Sequence, residues 1–491
     1  MARGKVAIAF AQCYNDIVFL QRSRDMAEKD KTYLRLPEGG PFITKDKNFY
    51  RTFLPLLVMI TLRSLAALAV NLADNVMLGR YTEAALSGAT VVNQLQFVLQ
   101  QMVGGLGAGM AVLGSQYWGK KETEPIRKIT GIGIKISLAV GILFFLVSAL
   151  APEAVLHLFA DDAAVLAEAQ VYLSLMCWTY LIFSVSNSLM YALQSVETAM
   201  VGTVMSLSTI VINVCLNYCL IYGHFGFPEL GIRGAAVATL TSRTVELIII
   251  LVYSLTMDKK LRLKVKDLLG FDRAYLPDFF RAALPLLFSG LMWGIAQAAQ
   301  AAILGHLDAA VISANSIAGT IFQLCAVLGM SAGSAASVVM GKTVGEGRWT
   351  AVKPYTRTLQ LLFVCFGLLA SAGIFLVKDW VIGFYSISES AKAYAGSFMT
   401  VMGITCIGSC YEFPCMGGII AGGGDPKYQA IIDNAFMWFF TIPVAAVFAY
   451  ALKLPPLVVF CALKADKLIK CIPNFIVTNR YRWVRALTRE T

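Results

Sequence analysis

An all-α integral membrane protein, with twelve transmembrane helices in two pseudo-symmetric six-helix bundles, is the fold class this sequence predicts. Three observations carry that expectation. Of the 491 residues, 57% are hydrophobic and only 14% charged, and the mean hydropathy is +0.67, which lies outside the range of soluble globular chains. Apolar stretches long enough to cross a bilayer core, which takes roughly 20 residues per helix, recur about twelve times. The stretch from Leu78 to Gly119, LGRYTEAALSGATVVNQLQFVLQQMVGGLGAG closing on SQYWGKKE, returns in degenerate form from Leu304 to Gly345 as LGHLDAAVISANSIAGTIFQLCAVLGMSAGSA closing on MGKTVGEGR.

The expected spans fall near 50–78, 84–117, 126–151, 163–190, 196–222 and 233–256 in the first half. Those of the second half fall near 276–304, 310–341, 353–378, 390–420, 427–450 and 455–480. The first span of each half carries the same proline motif, RTFLPLL with Pro55 and RAALPLL with Pro285. A missing backbone donor there permits a bend, so both prolines are hinge candidates. The second spans carry GGLGAG at 104–109 and SAGSAAS at 331–337, small-residue runs that let neighbouring helices approach closely. A phosphate-cradling loop is excluded, because such a loop follows a strand in a soluble domain.

Basic residues cluster after the second span (Lys120, Lys121, Arg127, Lys128), the sixth (Lys259, Lys260, Arg262, Lys264, Lys266) and the eighth (Lys342, Arg348, Lys353, Arg357). The loop after the third span is acidic instead, with Glu153, Asp161 and Asp162. By the positive-inside rule the basic loops and both termini are expected in the cytoplasm of a multi-pass protein of the cell membrane. The formal charge of +11 then reflects topology, and no nucleic-acid motif accompanies it. Six spans per half return each half to its starting side, so the repeats are expected to be parallel and related by an axis along the membrane normal, with a cleft between them. The division expected is an N-terminal cytoplasmic segment 1–48, a first lobe 49–257, a charged linker 258–273, a second lobe 274–482 and a tail 483–491. Residues 1–25 are expected to be either sequence upstream of the true start, since Met26 opens a second plausible beginning, or a short interfacial helix; no signal peptide is evident. The eleven cysteines form no CxxC pair and read as small hydrophobes; Cys406 and Cys410 share a helix face without further metal ligands nearby.

Ionisable groups inside a span are costly and therefore functional candidates. Asp74 leads, late in the first span, and superposing LGR on LGH sets Gln300 opposite it. The acid belongs to one half alone, so packing does not explain it. Asn213 and Asn217 lie one turn apart on one face of the fifth span, and Thr239 in the sixth adds a hydroxyl; together with Asp74 they form the expected ion-coupling and substrate site. Arg243 and Glu246, three apart, are expected to satisfy each other. Arg63 is expected to meet an acid across the bundle. In the second half, Glu412 is a candidate second coupling residue, with Asp433 nearby, and Lys464, Asp466, Lys467 and Lys470 crowd the last span. Asp466 and Lys470 read as structural charges, and Lys467 and Lys470 are expected to snorkel to the cytoplasmic boundary.

From about 49 to 490 the chain resembles the multidrug and toxic compound extrusion (MATE) family. The resemblance rests on ADNVMLGR, GGLGAGMAVLGSQYWGKK, INVCLNYCLIYG, ELGIRGAAVATLTSRTVE, ASVVMGKTVGEGR, AGGGDPKY, ADKLIK and RYRWVRALT, in that order. It implies twelve helices in two bundles forming a V, alternating access, and export of organic cations in exchange for H⁺ or Na⁺. It also implies that Asp74 is a coupling residue and that Asn213 matches a family asparagine. Asn217 stands where many members have aspartate, and Gly290 where some branches have a glutamate.

The expected mechanism is antiport in which the coupling ion and a cationic substrate compete for Asp74. The ion is either a proton, or a Na⁺ held by Asp74 with amide and carbonyl oxygens of Asn213 or Asn217. No other metal, no organic cofactor and no partner beyond substrate, ion and lipid is expected, and the chain is expected to be a monomer. The nearest rival is a flippase for lipid-linked precursors built on the same repeat plan, but its cleft should be strongly cationic, whereas the first-half site is acidic. An intramembrane enzyme is disfavoured because His157, His224 and His306 are scattered and no nucleophile motif is present. A channel would need a filter or charged ring, and none stands out.

Overall fold

The computed structural model describes residues 36–37, 41–160, 162–307, 309–384 and 388–489; the alternative start at Met26 lies outside them. Eleven helices among these residues are long and apolar enough to cross a membrane. In the first half they are α1 Lys47–Tyr81, α2 Glu83–Gly119, α3 Thr123–Leu150, α4 Ala163–Ser195, α5 Met200–Tyr222 and α6 Ile232–Met257. In the second half they are α7 Arg273–Gly305, α8 Ala310–Gly345, α9 Trp349–Gly383, α10 Glu389–Ile420 and α11 Pro426–Ala451. The expected twelfth span differs. It is a 14-residue helix α12, Pro456–Ile469, followed at once by a 10-residue helix α13, Cys471–Arg480. Lys464, Asp466, Lys467 and Lys470 make this segment more polar than its neighbours, and inward pairing of the last three replaces an apolar shell.

Local sequence sets the helix ends. Asp46 caps α1 by accepting from Asn48 N at 2.9 Å, and Thr82 caps α2 by accepting from Ala85 N at 3.1 Å, each satisfying a donor the first helical turn leaves open. Gly223 ends α5 at φ +71°, the left-handed conformation that favours glycine.

Packing repeats between the halves. Helix α1 packs on α5, α2 on α4, α3 on α4, α4 on α6 and α5 on α6; in the second half α7 packs on α11, α8 on α10, α9 on α10, α10 on α12, and α11 on α12. Each pairing recurs six helices later, which is the signature of two bundles built from one duplicated plan. Contacts between bundles obey the same symmetry: α2 meets α7, α8 meets α1, and α2 meets α8.

The small residues work as packing surfaces. A Cβ on Gly105 would strike the backbone of Leu286, one on Gly109 would strike Ala283, and one on Gly107 would strike the Tyr191 ring. The glycine run in α2 is therefore a contact strip against α7 on one side and α4 on the other. Gly333 and Gly422 play the matching part between α8 and the end of α10, against Pro414 and Ser337. Pro55 and Pro285 lie inside α1 and α7.

The bundles are joined at the end that carries the basic loops. Every residue of α2 from Met110 to Tyr117 is buried, and Phe49, Phe53, Leu56, Leu57 and Ile60 of α1 share one apolar core with α8, α9 and α10. Gly119 and Gly345 bring the ends of α2 and α8 into backbone contact, and Lys342 pairs with Glu197 across the junction. The C-terminal tail crosses from the second bundle to the first. Trp483 is buried beside Gly423, and Gln116 of α2 accepts from Leu487 N at 2.7 Å while donating to Arg485 O at 3.3 Å.

Candidate functional site

Asp74 lies seven residues before the end of α1, one turn deeper than the expected helix end implied, because α1 runs on to Tyr81. Its side chain turns inward to α5 and is 8% exposed. Asn217 Nδ2 donates to Asp74 Oδ1 at 2.5 Å and also to Asn213 Oδ1 at 3.2 Å. Asn213 Nδ2 in turn donates to Thr239 Oγ1 of α6 at 3.3 Å. The sequence placed these four residues together, and the structure joins them in one hydrogen-bonded line across α1, α5 and α6.

The one-turn spacing of Asn213 and Asn217 puts both amides on the face that α5 presents to α1 and α6, where both are fully buried. One acceptor on that line is left over. Asn217 Oδ1 is buried without a hydrogen-bond partner, beside a carboxylate that already takes the donor of the same amide. Buried polar atoms are seldom left unpaired, and an oxygen-rich pocket with a free acceptor suits a proton on the acid or a hard monovalent cation.

Tyr172 of α4 is a member that the sequence reading missed. It is buried, interacts with Thr239 and faces Asp74. Tyrosine is common in membrane spans, so nothing in its local sequence marked it. Arg243 pairs with Glu246 at 2.7 Å, as expected from their spacing, and stacks over the Phe183 ring at 5.6 Å. Arg63 departs from expectation: its guanidinium donates to Met190 Sδ at 2.8 Å and Gln194 Oε1 at 3.5 Å, neutral partners on α4.

The second bundle is arranged differently. Glu412 of α10 is 1% exposed and engaged by Lys467 at 3.2 Å and Lys470 at 3.5 Å. Lys470 also meets Asp433 at 2.7 Å and Asp466 at 3.1 Å, and its side chain is fully buried. The snorkelling expected of Lys467 and Lys470 is overturned, because three carboxylates inside the bundle hold these ammonium groups better than the distant boundary does. Glu412 therefore lies within an ion-paired cluster, apart from the Asp74 line. Gln300, opposite Asp74 in the repeat, is buried on α7; it accepts from Lys464 Nζ at 3.4 Å and donates to Met437 Sδ at 3.2 Å. Cys406 and Cys410 do share a face, their sulfurs 3.9 Å apart.

Two duplicated helical bundles, joined at one end and each enclosing polar groups within an apolar shell, define a polytopic membrane transporter built on an internal repeat. The MatE family profile matches residues 60–219 and 285–447, one stretch in each half. The chain belongs to that family, the MATE multidrug efflux transporters, which are transporters and not enzymes. It is 23% identical over 407 residues to a probable multidrug resistance protein NorM of Listeria innocua serovar 6a, covering 80% of this chain and 87% of the relative. Among solved structures it resembles a MATE protein in complex with MaL6, with TM-score 0.79 and 18% identity over 89% of this chain and 99% of the other. It also resembles the outward-facing conformation of a multidrug resistance MATE transporter of the MOP superfamily, with TM-score 0.80 and 18% identity over 90% and 98%.

Proposed function

We propose that this transporter is a secondary antiporter that exports organic cations across the cell membrane, exchanging them for H⁺ or Na⁺ at Asp74. The observation that carries the reading is the buried line Asp74–Asn217–Asn213–Thr239 with its spare acceptor on Asn217. A single carboxylate in a neutral polar setting can hold either one monovalent ion or one cationic headgroup. Occupancy by one excludes the other, and that competition is what couples two fluxes. The ion acts here as a transported partner, and no further cofactor enters the reading.

Supporting the direction of transport, the contacts that join the bundles lie at the end bearing the basic loops, which the positive-inside rule assigns to the cytoplasm together with both termini. On that assignment the end opposite the joined one faces outward in this state, and opening the joined end would admit substrate from inside. We read the transporter as acting as a monomer, which the placement of the whole Asp74 line within one bundle supports. A one-for-one swap of monovalent cations draws on the chemical gradient alone, about 1.4 kcal/mol per tenfold ratio.

The test is ethidium efflux from energised vesicles under a pH step or a Na⁺ step, comparing wild type with Asp74→Asn. Efflux driven by one of the two steps in wild type and lost in the variant is the expected result. Full-speed efflux by a normally inserted Asp74→Asn protein would end the proposal.

A further inference from the structure

At positions related by the repeat, the two bundles carry different polar groups. In the first, Asp74 is surrounded by neutral amides and hydroxyls. In the second, the place of the acid is taken by Gln300, and the charged group that reaches it is an ammonium, Lys464 Nζ, at 3.4 Å. Lys464 lies within α12, half-buried, with the Phe460 ring 5.6 Å from its nitrogen.

Its helix neighbours make the contrast. Lys467 and Lys470, one and two turns on, are both held by Glu412 and Asp466, with Asp433 also on Lys470. Among the described residues, no carboxylate stands within ion-pair distance of Lys464. The donors around it are poorly used: Lys464 gives one hydrogen to a neutral amide, and Gln300 Nε2 gives one to the thioether of Met437, a weak acceptor. A cation inside a membrane span that makes no ion pair is costly unless it has a task, and Asp466, the acid that acts on Lys464 through space, is already contacted by Lys467 and Lys470. A carboxylate placed between Lys464 Nζ and Gln300 Nε2 would take a charge-assisted bond from the first and replace sulfur as acceptor for the second.

We infer that the second bundle holds an anion subsite at Lys464 and Gln300, which takes the carboxylate of an amphiphilic substrate. This deepens the export reading and rests on it for the claim that amphiphiles enter the bundles. It widens the substrate class from pure cations to amphiphiles that also carry a carboxylate.

Rhodamine 110, with a free carboxylate, and rhodamine 123, its methyl ester, form a matched fluorescent pair. Their binding to the purified full-length protein is measured by fluorescence polarisation in wild type, Lys464→Gln and Lys464→Arg. The Lys464→Gln substitution should weaken rhodamine 110 about tenfold more than rhodamine 123, the usual scale of one charge-assisted hydrogen bond, and Lys464→Arg should restore most of the difference. Equal losses for both dyes, or none, would overturn the subsite. Should Lys464→Gln fail to fold, sodium benzoate on wild type decides: it should displace rhodamine 110 more readily than rhodamine 123, and equal displacement counts against the inference. Displacement of rhodamine 110, but not of rhodamine 123, by stoichiometric phosphatidylglycerol in both wild type and Lys464→Arg would reassign the subsite to a lipid phosphate and overturn the substrate carboxylate. Asp74→Asn serves as the separate arm. If it leaves rhodamine 123 efflux intact the antiport reading fails, while the dye-pair ratio still reports on Lys464 alone.

Discussion

Asn217 gives its amide hydrogen to Asp74 across the α1–α5 interface, at 2.5 Å, while its own carbonyl oxygen stays buried and unpaired. That one side chain ties the acid to the asparagine and threonine behind it. It leaves an oxygen free for whatever binds in exchange.

Asn217→Leu removes the donor from a buried carboxylate and should destabilise the protein by about 1–3 kcal/mol. The double variant Asn217→Leu/Asp74→Leu should lose less than the two single changes summed, because no orphaned acid is left behind. Thermal unfolding of the four proteins in one detergent measures the cycle. Strict additivity would mean that the contact is energetically idle.

Lys470→Met removes the ion pair of Asp433 and leaves Glu412 and Asp466 with Lys467 as their remaining cation. Breaking a buried pair by deleting one partner costs about 3–5 kcal/mol. The expected outcome is a sharply lower yield of folded protein, recovered in part by adding Asp433→Asn, as read by fluorescence-detected size-exclusion chromatography. A folded yield equal to wild type for Lys470→Met would refute a stabilising role for the cage.

Gln116→Leu removes the acceptor for Leu487 N and the donor to Arg485 O, loosening the tail from α2. Each bond contributes about 0.5–1.5 kcal/mol, so the joined end should open roughly tenfold more often. A cysteine introduced at Ser115, a buried position, should then react faster with maleimide in the Gln116→Leu background, followed by mass spectrometry of its peptide. No acceleration would mean that the tail does not hold the bundles together.

Asp46, outside the membrane spans, accepts from the Tyr355 hydroxyl and pairs with Arg348 at 2.7 Å. These contacts, Tyr355 first, hold its carboxyl down at about 2, against an ordinary 3.8. A carboxyl lowered on folding stabilises the folded state above its unfolded value, and that contribution fades as pH falls from about 4 through about 2. Tyr355→Phe should raise the Asp46 value toward 3.8, so that the acid loss of stability still begins at about pH 4 but is smaller and is complete at a higher pH than in wild type. Melting temperature against pH for wild type, Tyr355→Phe and Asp46→Asn checks the sign; identical acid limbs in all three would exclude Asp46 as their cause.

The line Asp74, Asn213, Asn217 and Thr239 was legible beforehand because polar groups are conspicuous in apolar spans, and because the repeat exposed Asp74 as an acid without a twin. Arg243 with Glu246 was legible as a local pair. Lys467 and Lys470 were misread for the same reason that the pair was read well: sequence spacing reports neighbours on one helix, whereas Glu412 and Asp433 reach the lysines from α10 and α11. Arg63 resting on Met190 and Gln194, and Tyr172 beside Thr239, were equally invisible, since no spacing rule links residues more than sixty positions apart.

The sequence by itself determined the solvent, the helices, the doubling and the polar residues a membrane would not tolerate idly, because hydropathy and periodicity are local quantities. Tertiary packing decided which charge meets which. It caged Lys470 among three acids, gave Lys464 a neutral amide, and folded the C-terminal tail back onto Gln116, since in a low-dielectric interior each buried charge takes its cost or its compensation from groups that only the closed bundle brings within reach.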